Sequence, residues 1–164
     1  MKILAVDTSA VCASVAVTEN GKILSESSIN TGLTHSRTLM PMIDSVLKNS
    51  EIALDSIDTF ACSVGPGSFT GIRIGVAAIK GLCDALGKKC VPVSTLEALA
   101  HNLVGRCCTA VSVMDARCNQ VYNGIFKIQK GEITRITEDR AVLVSQVEKE
   151  LEEIYKNSLK KIAN

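Results

Sequence analysis

The stretch GPGSFTGIRIG, Gly65 to Gly75, places four glycines, Gly65, Gly67, Gly71 and Gly75, across the junction of a strand and a helix. Ahead of it, Thr59-Phe-Ala-Cys-Ser-Val64 is a short apolar run of the kind a core strand uses. Gly65 and Gly67 let the backbone turn sharply or approach another group, Pro66 stiffens the turn, and Ser68 or Thr70 supplies the helix cap. Beyond it, Ile72, Val76, Ile79, Cys83 and Leu86 recur at spacings of four and three, an apolar seam. Gly71, Gly75 and Ala78 line a second, small-residue face. A helix with two such faces has neighbours on two sides, and one neighbour is open to being another protein.

A glycine-rich turn at a helix start also aims backbone N–H groups where an anion can sit. Neither nucleotide motif fits. A dinucleotide fingerprint needs glycine at Thr70, and a P-loop needs a Gly-Lys-Ser/Thr ending that is missing. The turn reads first as a structural junction.

Composition narrows the classes. The 164 residues suit one large domain or two small ones, and 46% hydrophobic content supplies a sizeable core. Aromatic residues are 3%, there is no Trp and the net charge is +1, so neither base-stacking platforms nor a global basic footprint for nucleic acid is expected. Met1-Lys2 leads through Ile3–Val6 to Asp7, too short an apolar region for export, and no run reaches membrane length. Seven cysteines without a CxxC pair read as reduced core thiols of a cytoplasmic protein. Cys107-Cys108 lacks a second ligand pair for a soft metal.

Along the chain, strands are expected at 2–6, 13–18 and 22–29, the last two joined through Asn20-Gly21, a hairpin signal. A helix follows at 34–48, with Leu39, Ile43, Val46 and Leu47 on an apolar stripe and Pro41 kinking or starting it. Then come the strand at 59–64, the helix at 70–86, a strand at 90–93, and a helix reaching residue 103 that Ser94 or Thr95 caps with Glu97 as capping-box partner. The pattern restarts with strands at 109–114, 120–128 and 132–137. Asp115 stands to its hairpin at Gly131 much as Asp7 stands to Gly21. A last helix from about Val144 carries Val147, Leu151, Ile154 and Ile162 on one face, and the Glu148–Glu153 run on its solvated face.

The order β-β-β-α-β-α-β-α followed by a shorter restart predicts an α/β chain of two units, 1–105 and 106–164, each a mixed sheet with flanking helices. This is the duplicated ribonuclease-H-like architecture of actin, sugar kinases and chaperone ATPases, with the second unit short.

Within that superfamily the chain resembles the TsaB (YeaZ) family, paralogues of TsaD in bacterial tRNA threonylcarbamoyladenosine synthesis. The resemblance is carried by ILAVDTS (Ile3–Ser9), His35-Ser36 with Leu39 and Pro41, GPGSFTGIRIG, STLEALA (Ser94–Ala100), and MDAR with Val121-Tyr122. It implies a non-catalytic scaffold subunit that binds a TsaD-like catalytic partner, acts with a TsaE-like ATPase, forms homodimers in isolation, meets tRNA only through the complex and holds no cofactor. TsaD relatives bind a metal through two histidines at i and i+4. Those positions are Thr95 and Leu99 here, while His101 is out of register and His35 lies on another helix.

In the ATPases of the superfamily the position of Asp7, Thr8 and Ser9 touches phosphate, so these are the nucleotide-binding candidates. Asp7 also suits a purely structural role, accepting N–H groups at a strand end. The matching Asp115-Ala116-Arg117 has no glycine to wrap a phosphate. His35 reads as a cap or surface residue and Arg117 as a group for phosphate or a partner carboxylate. The expected partner surface comprises Leu39, Ile43, Val46, Ile72, Arg73, Val76, Ile79 and Cys83. An ATP-dependent phosphotransferase with Asp7 near metal-phosphate is the alternative, and a metal-dependent peptidase of glycoprotease type the least favoured reading.

Overall fold

The computed structural model describes residues 1–162, with side chains to residue 156. Ile162, expected on the apolar face of the last helix, lies outside the described side chains. The chain forms two compact units, Met1–Thr95 and Leu96–Asn164.

The first unit runs β1 (Lys2–Asp7), β2 (Ala13–Glu19), β3 (Lys22–Ile29), α1 (His35–Asn49), β4 (Thr59–Gly65), α2 (Phe69–Leu86) and β5 (Lys89–Ser94). The sheet order is β3-β2-β1-β4-β5. β1 pairs antiparallel with β2 and parallel with β4, with Leu4 opposite Val17 and Phe60. Alternation sends Leu4, Val6, Val15, Val17, Phe60 and Cys62 into the core with the apolar stripes of α1 and α2, while Ile3, Ala5 and Ala16 stay half-buried.

α2 starts and stops for local reasons. Ser68 caps α2, its Oγ accepting the Gly71 N–H at 3.2 Å, and Gly87 ends it in the left-handed conformation at φ 64°. Pro41 lies inside α1 and starts nothing; it is exposed, at a position where only the hydrogen bond back to Arg37 is lost.

The second unit holds β6 (Cys108–Arg117), β7 (Gln120–Gln129), β8 (Glu132–Arg135), β9 (Arg140–Leu143) and α4 (Val144–Ile162). β6, β7 and β8 form an antiparallel ladder, and β9 pairs with Gln120–Asn123 of β7. The expected strand at 132–137 stops at Arg135, because Ile136 and Thr137 turn their N–H groups to the Ile125 carbonyl and Thr137 Oγ1 accepts the Ile125 N–H at 2.9 Å. The chain then rejoins β7 as β9, a strand too short for its sequence to announce.

The expected boundary after residue 105 moves to between Thr95 and Leu96. The cause is α3 (Thr95–His101), whose Leu96 and Ala100 pack with Ala110, Phe126 and Ile128 of the second sheet. This helix ends at His101, short of residue 103. Arg135 crosses the face of Phe126 and binds the Glu97 carboxylate at 2.7 Å and Asp139 at 2.5 Å, tying α3 to β8.

Candidate functional site

The Asp7-Thr8-Ser9 turn, where β1 leaves the sheet, meets the first turn of α2 within the first unit. Asp7 Oδ1 accepts the Ser9 N–H at 2.7 Å, and the Ser9 carbonyl accepts the Ser68 N–H at 2.6 Å. Thr8 Oγ1 donates to the Gly71 carbonyl at 2.8 Å. From α1, His35 Nε2 lies 2.8 Å from the Ala10 carbonyl. The turn is thus held by α2 and α1 together.

Glycine is what lets α2 lie this close. An added Cβ at Gly71 would overlap the Thr8 carbonyl, and one at Gly75 would overlap Thr8 Oγ1. Thr8 and Ser9 are each 1% exposed as a result. The Ser9 N–H and carbonyl are already bonded within the protein, and Thr8 and Ser9 are sealed beneath the helix. Ser9 Oγ is buried without a protein hydrogen-bond partner. The small-residue face of α2 therefore has an occupant, the β1 turn.

The apolar seam has one too. Ile79 is 0% exposed and Cys83 6%, and Leu39, Ile43 and Val46 of α1 are 1%, 2% and 0% exposed. These five residues, expected at a partner surface, are the core between α1, α2 and the sheet. Periodicity marks a buried face without saying what buries it. Of the remaining expected residues, Ile72 and Val76 are half-buried and Arg73 is exposed.

What the helices present outward is a different set. Phe69 is 75% exposed at the start of α2 with the Arg73 guanidinium over its ring, and Met40 of α1 is 47% exposed. Val11 and Leu33, in the loops before β2 and α1, are also exposed. Phe69 stands inside the glycine motif but off the seam, and seam spacing gave no reason to single it out.

Thr95 is buried and Leu99 exposed at the two α3 positions, and His101 Nδ1 lies 2.9 Å from the Glu97 carbonyl. Among the described residues, no group of three or more His, Cys, Asp or Glu side chains is placed to hold a metal ion. The thiols are less uniformly buried than expected: Cys62 and Cys83 are buried, but Cys90, Cys107 and Cys118 are exposed. Burial, then the neighbouring Cys90 and Cys83, pushes the Cys62 thiol up to about 12. Its sulfur lies 4.0 Å from that of Cys90.

Comparison with known proteins agrees with this architecture. A family model described as TsaD, tRNA N6-adenosine threonylcarbamoyltransferase, matches residues 22–163. The structure of YeaZ from Pseudomonas aeruginosa superposes with a TM-score of 0.79 at 31% identity, over 86% of this chain and 67% of that one. The chain belongs to the TsaB (YeaZ) family. It is 36% identical to the tRNA threonylcarbamoyladenosine biosynthesis protein TsaB of Haemophilus influenzae, over 74% of this chain and 52% of that protein. It is 33% identical to TsaB of Bacillus subtilis, over 88% of this chain and 63% of that protein. The chain therefore spans between half and two thirds of the length of these TsaB relatives. Among the described residues no helix is long and apolar enough to cross a membrane.

Proposed function

We propose that the chain is a non-catalytic, cytoplasmic scaffold subunit in tRNA threonylcarbamoyladenosine biosynthesis, binding and supporting a TsaD-like catalytic subunit. The observation that carries this reading is the closure of the Asp7-Thr8-Ser9 turn by α2. Catalysis with ATP on this architecture needs that turn open to phosphate, and here Gly71 and Gly75 bring the helix down onto it. The residue types at 95 and 99 support the same reading, since threonine and leucine supply no imidazole pair for a metal. A TsaE-like ATPase joins through the complex, tRNA is met only within it, no cofactor is held, and the chain pairs with itself when alone.

Since Ile79 and Cys83 of the seam are core, the partner surface is assigned to the exposed Met40, Phe69 and Arg73 with the half-buried Ile72 and Val76 beside them. An exposed aromatic with a stacked arginine is the composition that protein interfaces favour. The test is association with the purified TsaD-like protein of the same organism, using the chain and its Phe69→Asp variant. The proposal expects binding by the chain and at least about tenfold weaker binding by the variant, a cost of about 1.4 kcal/mol or more. Equal affinity of the two contradicts the assigned surface. The phosphotransferase alternative predicts saturable Mg-ATP binding by the isolated chain, which titration calorimetry detects.

A further inference from the structure

Three of the cysteines meet where α2, β4 and β5 come together at one edge of the first sheet. Cys62 of β4 and Cys83 of α2 are buried, at 3% and 6% exposure, while Cys90 of β5 is exposed. The Cys62 and Cys90 sulfurs lie 4.0 Å apart, across 28 positions of sequence that carry all of α2. Burial first, then the nearby Cys90, pushes up both the Cys62 and the Cys83 thiol. An oxidant therefore meets Cys90 first, and the two buried thiols stay protonated behind it.

Register decides what bond this pair can make. Cys62 stands opposite Pro92 and Cys90 opposite Phe60, so the two cysteines share a face of the sheet, offset by two positions. Diagonal neighbours of this kind have Cα atoms roughly 7–8 Å apart, whereas a relaxed disulfide spans about 4.4–6.8 Å. Joining the sulfurs requires β5 to shift toward β4. β5 is the strand with room to do so, since it ends the sheet order and, among the described residues, pairs with β4 alone. The bond so formed is strained and easily reduced, which suits a reversible modification and not a permanent brace.

We propose that Cys90 is an oxidation site for hydroperoxides, resolved by Cys62 into a reversible disulfide between β4 and β5. The peroxide transfers one oxygen to the Cys90 thiol, giving a sulfenic acid and, from hydrogen peroxide, one water. The Cys62 sulfur then attacks the Cys90 sulfur. Its S–H bond and the Cys90 S–O bond break, the S–S bond forms, and the Cys62 proton leaves with the hydroxyl as a second water. Both sulfurs are oxidised and the peroxide is fully reduced. A thiol reductant returns the pair to its starting state.

The experiment exposes the reduced full chain to hydrogen peroxide, blocks the remaining thiols with N-ethylmaleimide in denaturant, and maps the cysteines by mass spectrometry without reduction. The expected result is a linked peptide pair joining Cys62 to Cys90, two fewer maleimides on each linked chain, and recovery of both thiols with dithiothreitol. Cys90→Ser is expected to lose the link and leave Cys62 reduced. Cys62→Ala is expected to leave a Cys90 sulfenic acid that dimedone traps. Cys90 advancing to sulfinic acid with Cys62 still reduced overturns the proposal, as does Cys90 joined to Cys83 or to a second copy. Cys90 untouched at a peroxide concentration that oxidises free cysteine overturns it as well.

Discussion

The hydroxyl of Thr8 donates to the carbonyl oxygen of Gly71 at 2.8 Å, across 63 positions of sequence. That bond and the missing side chains at Gly71 and Gly75 put the start of α2 over the end of β1. Gly71 and Gly75 of the 65–75 motif are thereby explained by close packing.

Gly71→Ala forces its Cβ against the backbone of Thr8, which cannot swing aside, and is expected to destabilise the chain by about 1–3 kcal/mol. Gly81→Ala is the contrasting substitution: it lies within α2 with open space around it and is expected to stabilise by about 0.5–1 kcal/mol. Urea unfolding of both variants checks the pair.

Ser9→Ala removes a buried hydroxyl that has no protein partner, so stability is expected to stay level or rise by about 1 kcal/mol. A role for that hydroxyl in holding nucleotide would instead appear as Mg-ATP binding by the chain that the variant loses.

Ile79→Asp places an unpaired carboxylate at a site with 0% exposure and is expected to unfold the chain or cost about 4 kcal/mol or more. Phe69→Asp, on a side chain 75% exposed, is expected to cost about 1 kcal/mol or less in stability. Thermal unfolding of both separates core from surface before any binding assay.

Those two residues mark what the sequence discloses and what it does not. The 3.6-residue period located the buried stripes of both helices, the Asn20-Gly21 pair located the β2–β3 hairpin, and the repeated aspartate pointed to two units. These signals are local. The partner of a stripe is not: Ile79 and Cys83 could face a sheet or a second protein with the same spacing. The seal over Thr8 and Ser9 was illegible for the same reason, since it depends on a helix distant in sequence. β9 escaped because Arg140–Leu143 is four residues long and begins with a charge. That charge has a use, because Arg140 bonds Asn123 Oδ1 at 3.0 Å and the Glu150 carboxylate of α4.

The Arg140 hydrogen bond holds the Glu150 carboxyl below its ordinary 4.5. A carboxyl lowered in the folded state contributes stability above its ordinary value, and that contribution is lost as pH falls through the folded value. Glu150→Gln is therefore expected to lower the urea midpoint at neutral pH and to narrow its gap from the unsubstituted chain below pH 4.5. Urea melts at neutral and acid pH read the difference.

Cys90, exposed on β5, is expected to react with a small alkylating agent in the native state, while Cys62, buried and with its thiol pushed up to about 12, reacts only on unfolding. Mass spectrometry of tryptic peptides after brief labelling resolves the two.

The most direct measurement of the central claim is light scattering of the purified chain, alone and mixed with the purified TsaD-like protein of its organism. The scaffold account predicts a homodimer alone that exchanges into a complex with the TsaD-like protein, and loss of that complex with Phe69→Asp. A chain that stays apart from the TsaD-like protein at every ratio tested contradicts the account.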